Sequence, residues 1–358
     1  MAAEAQLADL VVRVHELTLG GQADRALAVA QPGLAQARRD GPRETTQSLL
    51  VCVAKALVEL GLYEQADEIL RVAVRMAADL GQPLRQVQPL VLRAAMRLRR
   101  GHADDALMTL AEAATVQRAS AAGPGDPADL CMIRARHDLA VAADELGLLE
   151  FAEAWFTTND RVANMVAPAC ARWVHLSAFA VHQLVSAVRL EHLDKLVSAR
   201  GRLVHAADLL ARLRVLPDIE DSWRVSAIVI DGCVRVRTGH PEDVLSRLDG
   251  IGPELETRTN VGDRLLFHLA RAQAWVCIGE AQEARVEAAA GLRLARETGA
   301  TRWEAEAWRL HAEAVRVAGR QADAEQVEAR FIALHEDLTA QELTWALRFR
   351  ELIGWRRR

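Results

Sequence analysis

Aromatic residues and paired cysteines are both scarce in this sequence. Only one of the 358 residues is tyrosine and 4% are aromatic, so small aliphatic side chains must form most of the core. A single tyrosine beside ten prolines disfavours an all-β fold. The five cysteines are dispersed and form no C-x-x-C pair, which predicts reduced thiols and no disulfide framework.

Long uncharged apolar segments are also missing. No stretch approaches the roughly 18 residues that a membrane-spanning helix needs. The N-terminal segment carries Glu4, Asp9 and Arg13 within its apolar stripe, which is typical of an amphipathic helix and not of a signal peptide. We therefore expect a soluble, cytoplasmic protein that makes no contact with a membrane.

The chain has no excess of either charge. Charged residues make up 26% of it, but the net charge is −5 and the isoelectric point lies near 6.2. This balance predicts no general attraction to nucleic acid. The cluster of arginines from Arg93 to Arg100 is expected to lie late in one helix, where positive charge complements the helix dipole.

Motifs for catalysis and for metal binding are absent from the sequence. It contains no P-loop, no dinucleotide-binding glycine fingerprint and no nucleophile elbow. His175 and His182 lie seven residues apart and have no carboxylate at ligand spacing, so we expect them to pack or to face solvent. Arg136, His137 and Asp138 are adjacent and would point in different directions from a helix. The sequence predicts neither an enzyme nor a cofactor.

What the sequence does contain is a repeated helical hairpin. In the segment 50–83 apolar residues recur at helical spacing, stop at Gly61 and resume from Ala66. A chain that reverses between antiparallel helices needs a residue that tolerates positive φ, as glycine does. Equivalent turns are predicted every 40 to 48 residues, near Gly21, Gly61, Gly101, Gly147, Glu191, Gly239, Gly279 and Gly319.

This hairpin resembles a tetratricopeptide repeat. The resemblance rests on the turn glycine followed by Tyr63, Ala66, Leu70 and Ala73, which match the second half of that repeat. The units are longer than the usual ~34 residues, and phrases such as LARETGATRWEAEAWRL are similar to the long-helix variety in sensor regions of bacterial regulators. The resemblance implies an all-α, right-handed α-solenoid of about eight hairpins plus a C-terminal helix.

The predicted repeat array covers residues 1–338, and a separate helix covers 339–358. Thr339 and Glu342 form a T-x-x-E capping box at its start. The apolar residues of this helix span more than half its circumference, which is wide for a cap with one contact. Trp345, Phe349 and Leu352 are therefore a candidate surface for a homodimer or another chain. The alternative is that the helix packs against the eighth hairpin.

In the tetratricopeptide family the first helix of each hairpin lines the concave face. Counted back from each turn, the positions of that face form an aliphatic floor edged by arginine in the central units. The candidate groove residues are Val181, Val185, Arg189, Val229, Cys233, Arg237, Arg99, His137 and Gln273. Such a groove suits an apolar peptide or small molecule with a carboxylate. Alternatively, the aliphatic residues belong to the core and each arginine pairs with a nearby acid.

The predicted repeat array and groove are compatible with two functions. The first is a non-enzymatic scaffold or sensor that binds a protein or peptide in cytoplasmic regulation. The alternative is the sensory half of a bacterial signalling regulator whose output domain, a diguanylate cyclase or DNA-binding activator, is absent from this chain.

Overall fold

The protein is helical throughout the part that the structure describes. The computed structural model describes residues 2–19, 22–121, 130–167, 169–217, 221–258 and 261–354, and within these ranges it contains seventeen α-helices and no strand. The predicted all-α fold is therefore confirmed. None of the described helices combines the length and apolarity needed to cross a bilayer.

The helices form eight successive hairpins. The first four hairpins pair α1 (Ala2–Leu19) with α2 (Ala23–Asp40), α3 (Arg43–Glu59) with α4 (Tyr63–Asp79), α5 (Val87–Arg99) with α6 (Ala103–Ala121), and α7 (Leu130–Glu145) with α8 (Leu149–Val166). A 3-10 turn at Pro83–Gln86 precedes α5.

The remaining hairpins follow the same order. They pair α9 (Ala169–His192) with α10 (Leu196–Arg214), α11 (Asp221–Arg237) with α12 (Pro241–Asp249), α14 (Val261–Ile278) with α15 (Ala281–Thr298), and α16 (Thr301–Val317) with α17 (Gln321–Leu352). The short helix α13 (Gly252–Arg258) joins the sixth hairpin to the seventh.

The turn glycines have the backbone conformation that their role requires. Gly61, for example, has φ 74°, and the N–H groups of Gly61 and Leu62 donate to the carbonyls of Val58 and Leu57. This is the Schellman arrangement that ends a helix with one left-handed residue. Positive φ is also found at Gly101, Gly147, Gly239, Gly279 and Gly319, whereas Gly21 lies outside the described residues.

The fifth turn differs from the prediction. Glu191 is still inside α9, and the reversal occurs three residues later at Asp194, which has φ 55°. The N–H of Lys195 donates to the carbonyl of Leu190 over 2.8 Å, so the hydrogen bonding is that of the glycine turns. Glutamate is a good helix former and does not end α9, while aspartate tolerates the left-handed region better than most residues.

The described chain forms two compact units. The first unit comprises Met1–Ala167 together with Thr344–Arg358, and the second comprises Pro168–Leu343. Small residues let the paired helices approach closely within each unit. In the first unit Ala66 and Ala73 are fully buried, and in the second Leu269 packs so close to Gly291 that an added Cβ would lie 2.9 Å from its Cδ2 atom.

The predicted boundary between residues 338 and 339 lies inside a helix. The helix α17 runs unbroken for 32 residues, and Thr339 with Glu342 is in its interior instead of at an N-terminus. No glycine or proline occurs between residues 321 and 352, so nothing in the sequence ends the helix there. The helix ends at Leu352, and the basic tail 356–358 lies outside the described residues.

Candidate functional site

A small cleft in the second unit brings three helices together. We call it the arginine cleft, and it has a volume of about 30 Å³. One wall of the cleft is aliphatic, and the other walls carry arginine, histidine and tryptophan side chains. The lining residues are Val185, Val188, Arg189, His192, Arg302, Trp303, Ala305, His335, Leu338, Thr339 and Glu342.

Two arginines in this cleft bind the same carboxylate. The Nε atom of Arg302 donates to Glu342 Oε1 over 2.7 Å, and Nη2 of Arg189 lies 3.0 Å from Glu342 Oε2. The Glu342 side chain is only 7% exposed, whereas Arg189 is 30% exposed. The helices α9, α16 and α17 each supply one member of this triad, so one carboxylate from α17 satisfies both cations.

A second group of charges surrounds Glu306, whose side chain is inaccessible to solvent. Its carboxylate accepts hydrogen bonds from Arg237 Nη2 over 2.5 Å and from Arg309 Nε over 2.8 Å, and it lies 2.8 Å from His192 Nε2. Arg237 also donates to Glu191 over 3.3 Å. We refer to Glu306, Arg237, Arg309, His192 and Glu191 as the Glu306 cluster.

The Glu306 cluster keeps its carboxylate ionised. Burial opposes ionisation of Glu306, but the positive charges of Arg309 and Arg237 and the hydrogen bond from His192 outweigh it, so the pKa of Glu306 is held well below its usual value. Because it joins α9, α11 and α16, the cluster fixes the spacing of the helices that carry Arg189 and Arg302.

Stacked rings complete the neighbourhood of the cleft. The rings of Phe331 and His335 stack with centroids 5.6 Å apart, and the His192 ring meets them edge-on at 4.9 and 5.2 Å. Burial, together with the nearby His192, lowers the pKa of His335. A neutral His335 can therefore line the cleft without adding a third positive charge.

The structure places the predicted groove residues of the second unit in several environments. Val185 and Arg189 line the arginine cleft, and Val181 is partly buried on the same helix. Val229 and Cys233 are buried in the core, where the Cys233 thiol donates to the carbonyl of Leu266 over 3.4 Å. These last two residues do not line an open groove, because α14 packs on that face of α11.

The predicted arginine pair is not free. Arg237 belongs to the Glu306 cluster with its side chain 4% exposed, and Arg189 pairs with Glu342. Both arginines thus pair with acids, although the acid beside Arg189 is Glu342 on α17 and not one of its neighbours in sequence. Gln273 lies beside the cluster and accepts a hydrogen bond from Arg309 over 2.7 Å.

The other two predicted groove residues lie in the first unit. Arg99 forms a half-exposed ion pair with Glu59 at 3.7 Å. The His137 ring meets Phe156 edge-on, with the centroids 6.3 Å apart. The nine predicted groove residues thus do not share one surface of one unit.

The C-terminal part of α17 packs within the first unit. Phe349 is fully buried and meets Phe151 and Trp155 edge-on, with centroids 5.0 and 6.4 Å away. The predicted interface is therefore incomplete: Phe349 is covered by α8, while Trp345 is half-buried and Leu352 is 42% exposed. This packing covers one side of the apolar arc, while Leu343, Leu347 and Leu352 remain exposed.

A larger pocket lies in the first unit. We call it the Asp138 pocket, and its volume is about 130 Å³. The helices α3, α5 and α7 and the 3-10 turn supply its walls, which are mostly polar. The lining residues are Gln47, Ser48, Leu84, Arg85, Gln88, Cys131, Arg134, Ala135 and Asp138.

Buried charges around this pocket are strongly perturbed. Burial raises the pKa of Asp138 to about 6, although the charges of Arg134 and Lys55 oppose the change. Burial, with the repulsion of Lys55 and Arg134, lowers the pKa of His15 to about 3. The sequence predicted no role for Asp138. Its proximity to Lys55 could not be predicted, because the two residues lie on different hairpins.

Neither site is suited to a metal. The described residues contain no group of three or more histidine, cysteine, aspartate or glutamate side chains placed to hold one ion. The carboxylate of Glu342 is bound by two arginines, so it is not free to bind a metal cation.

Comparison with known proteins adds a likeness in fold. No family model matches the sequence, and no curated protein matches it. A Rap protein complexed with competence and sporulation factor superposes with a TM-score of 0.50 and 12% identity, over 98% of this chain and 97% of that chain. The apo form of the quorum sensor NprR from B. thuringiensis gives a TM-score of 0.48 and 10% identity, over 92% and 99% of the two chains. The eight hairpins and the likeness to the Rap protein show that the chain has the tetratricopeptide-like α-solenoid fold that its sequence predicts.

Proposed function

We propose that the chain is a non-enzymatic sensor in cytoplasmic regulation and that it binds an apolar peptide with a free C-terminal carboxylate in the arginine cleft. The observation that supports this most directly is the convergence of Arg189 and Arg302 on the single carboxylate of Glu342. Two guanidinium groups around one carboxylate form the arrangement that recognises a chain end.

Binding proceeds by exchange of one carboxylate for another. As it stands, the cleft has room for about one water molecule, so Glu342 must leave before a peptide can enter. The incoming carboxylate then takes the hydrogen bonds of Glu342, and the net change in ion pairing is small. Affinity must therefore come from the apolar wall of Val185, Val188 and Leu338 and from Trp303, which favour an apolar last residue.

The Glu306 cluster prepares the cleft for this exchange. It fastens α9 to α16 through the contact of His192 with the buried carboxylate of Glu306 and through Arg237, which binds both Glu191 and Glu306, so Arg189 and Arg302 keep their spacing when Glu342 departs. A preorganised pair of donors loses little side-chain entropy when it binds a ligand.

A regulatory role has support from analogy. The Rap protein that shares this fold was solved in complex with competence and sporulation factor. By that analogy we infer that the ligand of this chain is a signal and that the chain responds to binding of that ligand in the cleft.

Selection from a peptide library displayed with free C-termini tests the proposal. We expect the full chain to enrich peptides that end in an apolar residue, and isothermal titration calorimetry of a selected peptide to show at least tenfold weaker binding when its C-terminus is amidated. Arg302→Gln should weaken binding of the free-acid peptide to a similar extent, because one charge-assisted hydrogen bond contributes about 1.5–3 kcal/mol.

The matched control is Arg316→Gln, which removes an exposed arginine paired with Glu328 in the same unit and should leave affinity unchanged. Glu342→Gln should tighten binding, because the competing carboxylate is removed. Equal binding of amidated and free peptides would refute the carboxylate site.

A further inference from the structure

The Asp138 pocket contains one wall that is already complete. Nη1 of Arg85 donates to the carbonyl of Glu44, to Ser48 Oγ and to Gln47 Oε1, at 3.2 to 3.5 Å. The amide of Gln47 in turn donates to the carbonyl of Arg85 over 3.1 Å. These residues of α3 and the 3-10 turn hold one another in place, so this wall is rigid and has little further capacity for a ligand.

The opposite wall, on α7, has unmet hydrogen-bonding capacity. Asp138 Oδ2 is inaccessible to solvent and has no hydrogen-bond donor. Among the described residues, Arg134 has no carboxylate within ion-pair distance, and the same holds for Lys55 on α3, although both act electrostatically on Asp138. A buried acceptor without a donor is costly, and native proteins seldom leave one without a reason.

The charged side chains that line the pocket indicate which ligand would satisfy their unmet hydrogen bonds. The exposed guanidinium of Arg134 lines the pocket and offers hydrogen bonds to an anion, while the buried Asp138 Oδ2 requires an N–H or O–H donor a few ångströms away. His15 adds no charge, because burial keeps it neutral. The complement is a small molecule with a carboxylate at one end and a cationic donor beside it.

The volume limits the size of that molecule. Water takes about 30 Å³ per molecule in the liquid, and an engineered cavity of about 150 Å³ accepts benzene. The 130 Å³ of the Asp138 pocket therefore fits a molecule of a few heavy atoms beyond a carboxylate and an amine. An extended peptide of several residues is too large.

We propose that the Asp138 pocket is a binding site for a free α-amino acid. The ligand carboxylate binds the guanidinium of Arg134, and its ammonium group donates to Asp138 Oδ2. Gln88 lines the same pocket and offers both a donor and an acceptor to the ligand. This site lies within the first unit and is independent of the peptide function proposed for the second.

Calorimetry and thermal unfolding of the full chain test this site. Each standard amino acid is added separately at about 10 mM, a concentration that raises stability measurably even for a millimolar dissociation constant. We expect at least one to bind. For that amino acid, the N-acetyl form and the carboxamide form are then compared, because the first removes the ammonium charge and the second removes the carboxylate.

Both modified forms should bind at least tenfold more weakly than the free amino acid. Equal binding of the N-acetyl form would overturn the contact between ammonium and Asp138 and would point to the C-terminal residue of a peptide instead. Equal binding of the carboxamide would overturn the role of Arg134. Failure of every amino acid to bind would overturn the site.

Substitutions distinguish the amino-acid site in the first unit from the peptide site proposed in the second. Arg134→Gln and Asp138→Asn should each weaken binding of the amino acid at least tenfold. Both variants are expected to fold, because neither substitution removes an ion pair. Asp79→Asn, which changes an exposed aspartate of the same unit, is the matched control and should have no effect. Arg302→Gln should leave amino-acid binding intact while it weakens peptide binding. Loss of amino-acid affinity in Arg302→Gln or in the control, or its retention in Asp138→Asn, would contradict the assignment.

Discussion

The two compact units both bury a carboxylate on the first helix of a hairpin, but the two carboxylates have different partners. In the second unit Glu306 is bound by Arg237, Arg309 and His192, and Arg189 pairs with Glu342. In the first unit the buried Oδ2 atom of Asp138 has no hydrogen-bond donor. Similar residue types thus form a closed network in one unit and an open pocket in the other.

Buried charge has different consequences in the two units. A fully paired buried network mainly fixes the positions of helices, because removal of one member leaves the others uncompensated. A buried carboxylate without a donor costs stability and persists where something else completes it. The predictions that follow test whether the two units differ in this way.

The largest effect is expected for Glu306→Gln in the second unit. The substitution leaves Arg237 and Arg309 buried without their shared carboxylate, so we expect a loss of about 3–5 kcal/mol in the free energy of unfolding. Urea denaturation measures the loss, and hydrogen exchange of the α16 amides locates it. Glu297→Gln is the control, because its pair with Arg293 is exposed, and it should change stability by less than about 0.5 kcal/mol.

The second prediction concerns the pH dependence of the first unit. Unfolded His15 binds a proton below about pH 6.5, whereas folded His15 does so only near pH 3, so its folded state loses stability as the pH falls through 6.5. Relative to His15→Gln, the wild-type chain should lose about 2 kcal/mol between pH 7 and pH 5. Urea denaturation at each pH measures the difference, and a flat difference would contradict burial of His15.

The contribution of Asp138 to the pH dependence of stability should have the opposite sign. Its folded pKa of about 6 lies above the unfolded value of 3.8, so the folded state gains stability as the pH falls through 6. Relative to Asp138→Asn, the wild-type chain should gain about 1 kcal/mol between pH 7 and pH 5. Opposite slopes for the two variants would confirm that burial is the main cause of both pKa shifts.

A loss of stability that is equal in the two units is expected at the turns. Gly61 in the first unit and Gly319 in the second have φ of 74° and 75°, and an added Cβ would meet nothing within 4 Å in either. Substitution by valine should therefore cost only the backbone strain, about 1–3 kcal/mol at each position. Thermal unfolding measures both, and clearly unequal losses would show that one turn carries an additional contact.

The smallest effect is a gain of stability at the fifth turn. Asp194 has φ 55° in a turn where the other described units have glycine. Asp194→Gly should stabilise the second unit by about 0.5–1 kcal/mol, because glycine occupies this region without strain. Thermal unfolding measures the gain. Loss of stability instead would indicate that the Asp194 side chain makes a stabilising local bond.

The sequence was informative where structure is local. The helices, their hairpins and the glycine turns were predictable, because periodicity and positive φ depend on a few neighbouring residues. The turn at Asp194 was misplaced, because Glu191 is the residue at repeat spacing and aspartate is a weaker signal than glycine. The interior position of Thr339 was missed, because a T-x-x-E pattern also occurs within helices.

The sites were less predictable because their partners are distant in sequence. Arg350 pairs with Glu150, 200 residues earlier, and Arg237 donates to Glu306, 69 residues later. No local pattern specifies such pairs. The repeat positions did place Arg189 and Val185 on one face, but they could not show that Glu342 neutralises Arg189 or that α14 covers Val229.

The packing of Phe349 has a consequence for the order in which the protein forms during synthesis. The core of the first unit includes Phe151, Trp155 and Phe349, yet the ribosome makes Phe349 only after the whole of the second unit. The first four hairpins must therefore leave the exit tunnel with the aromatic face of α8 uncovered. The second unit is one continuous segment and can finish first, so the unit that begins the chain is the last to be completed.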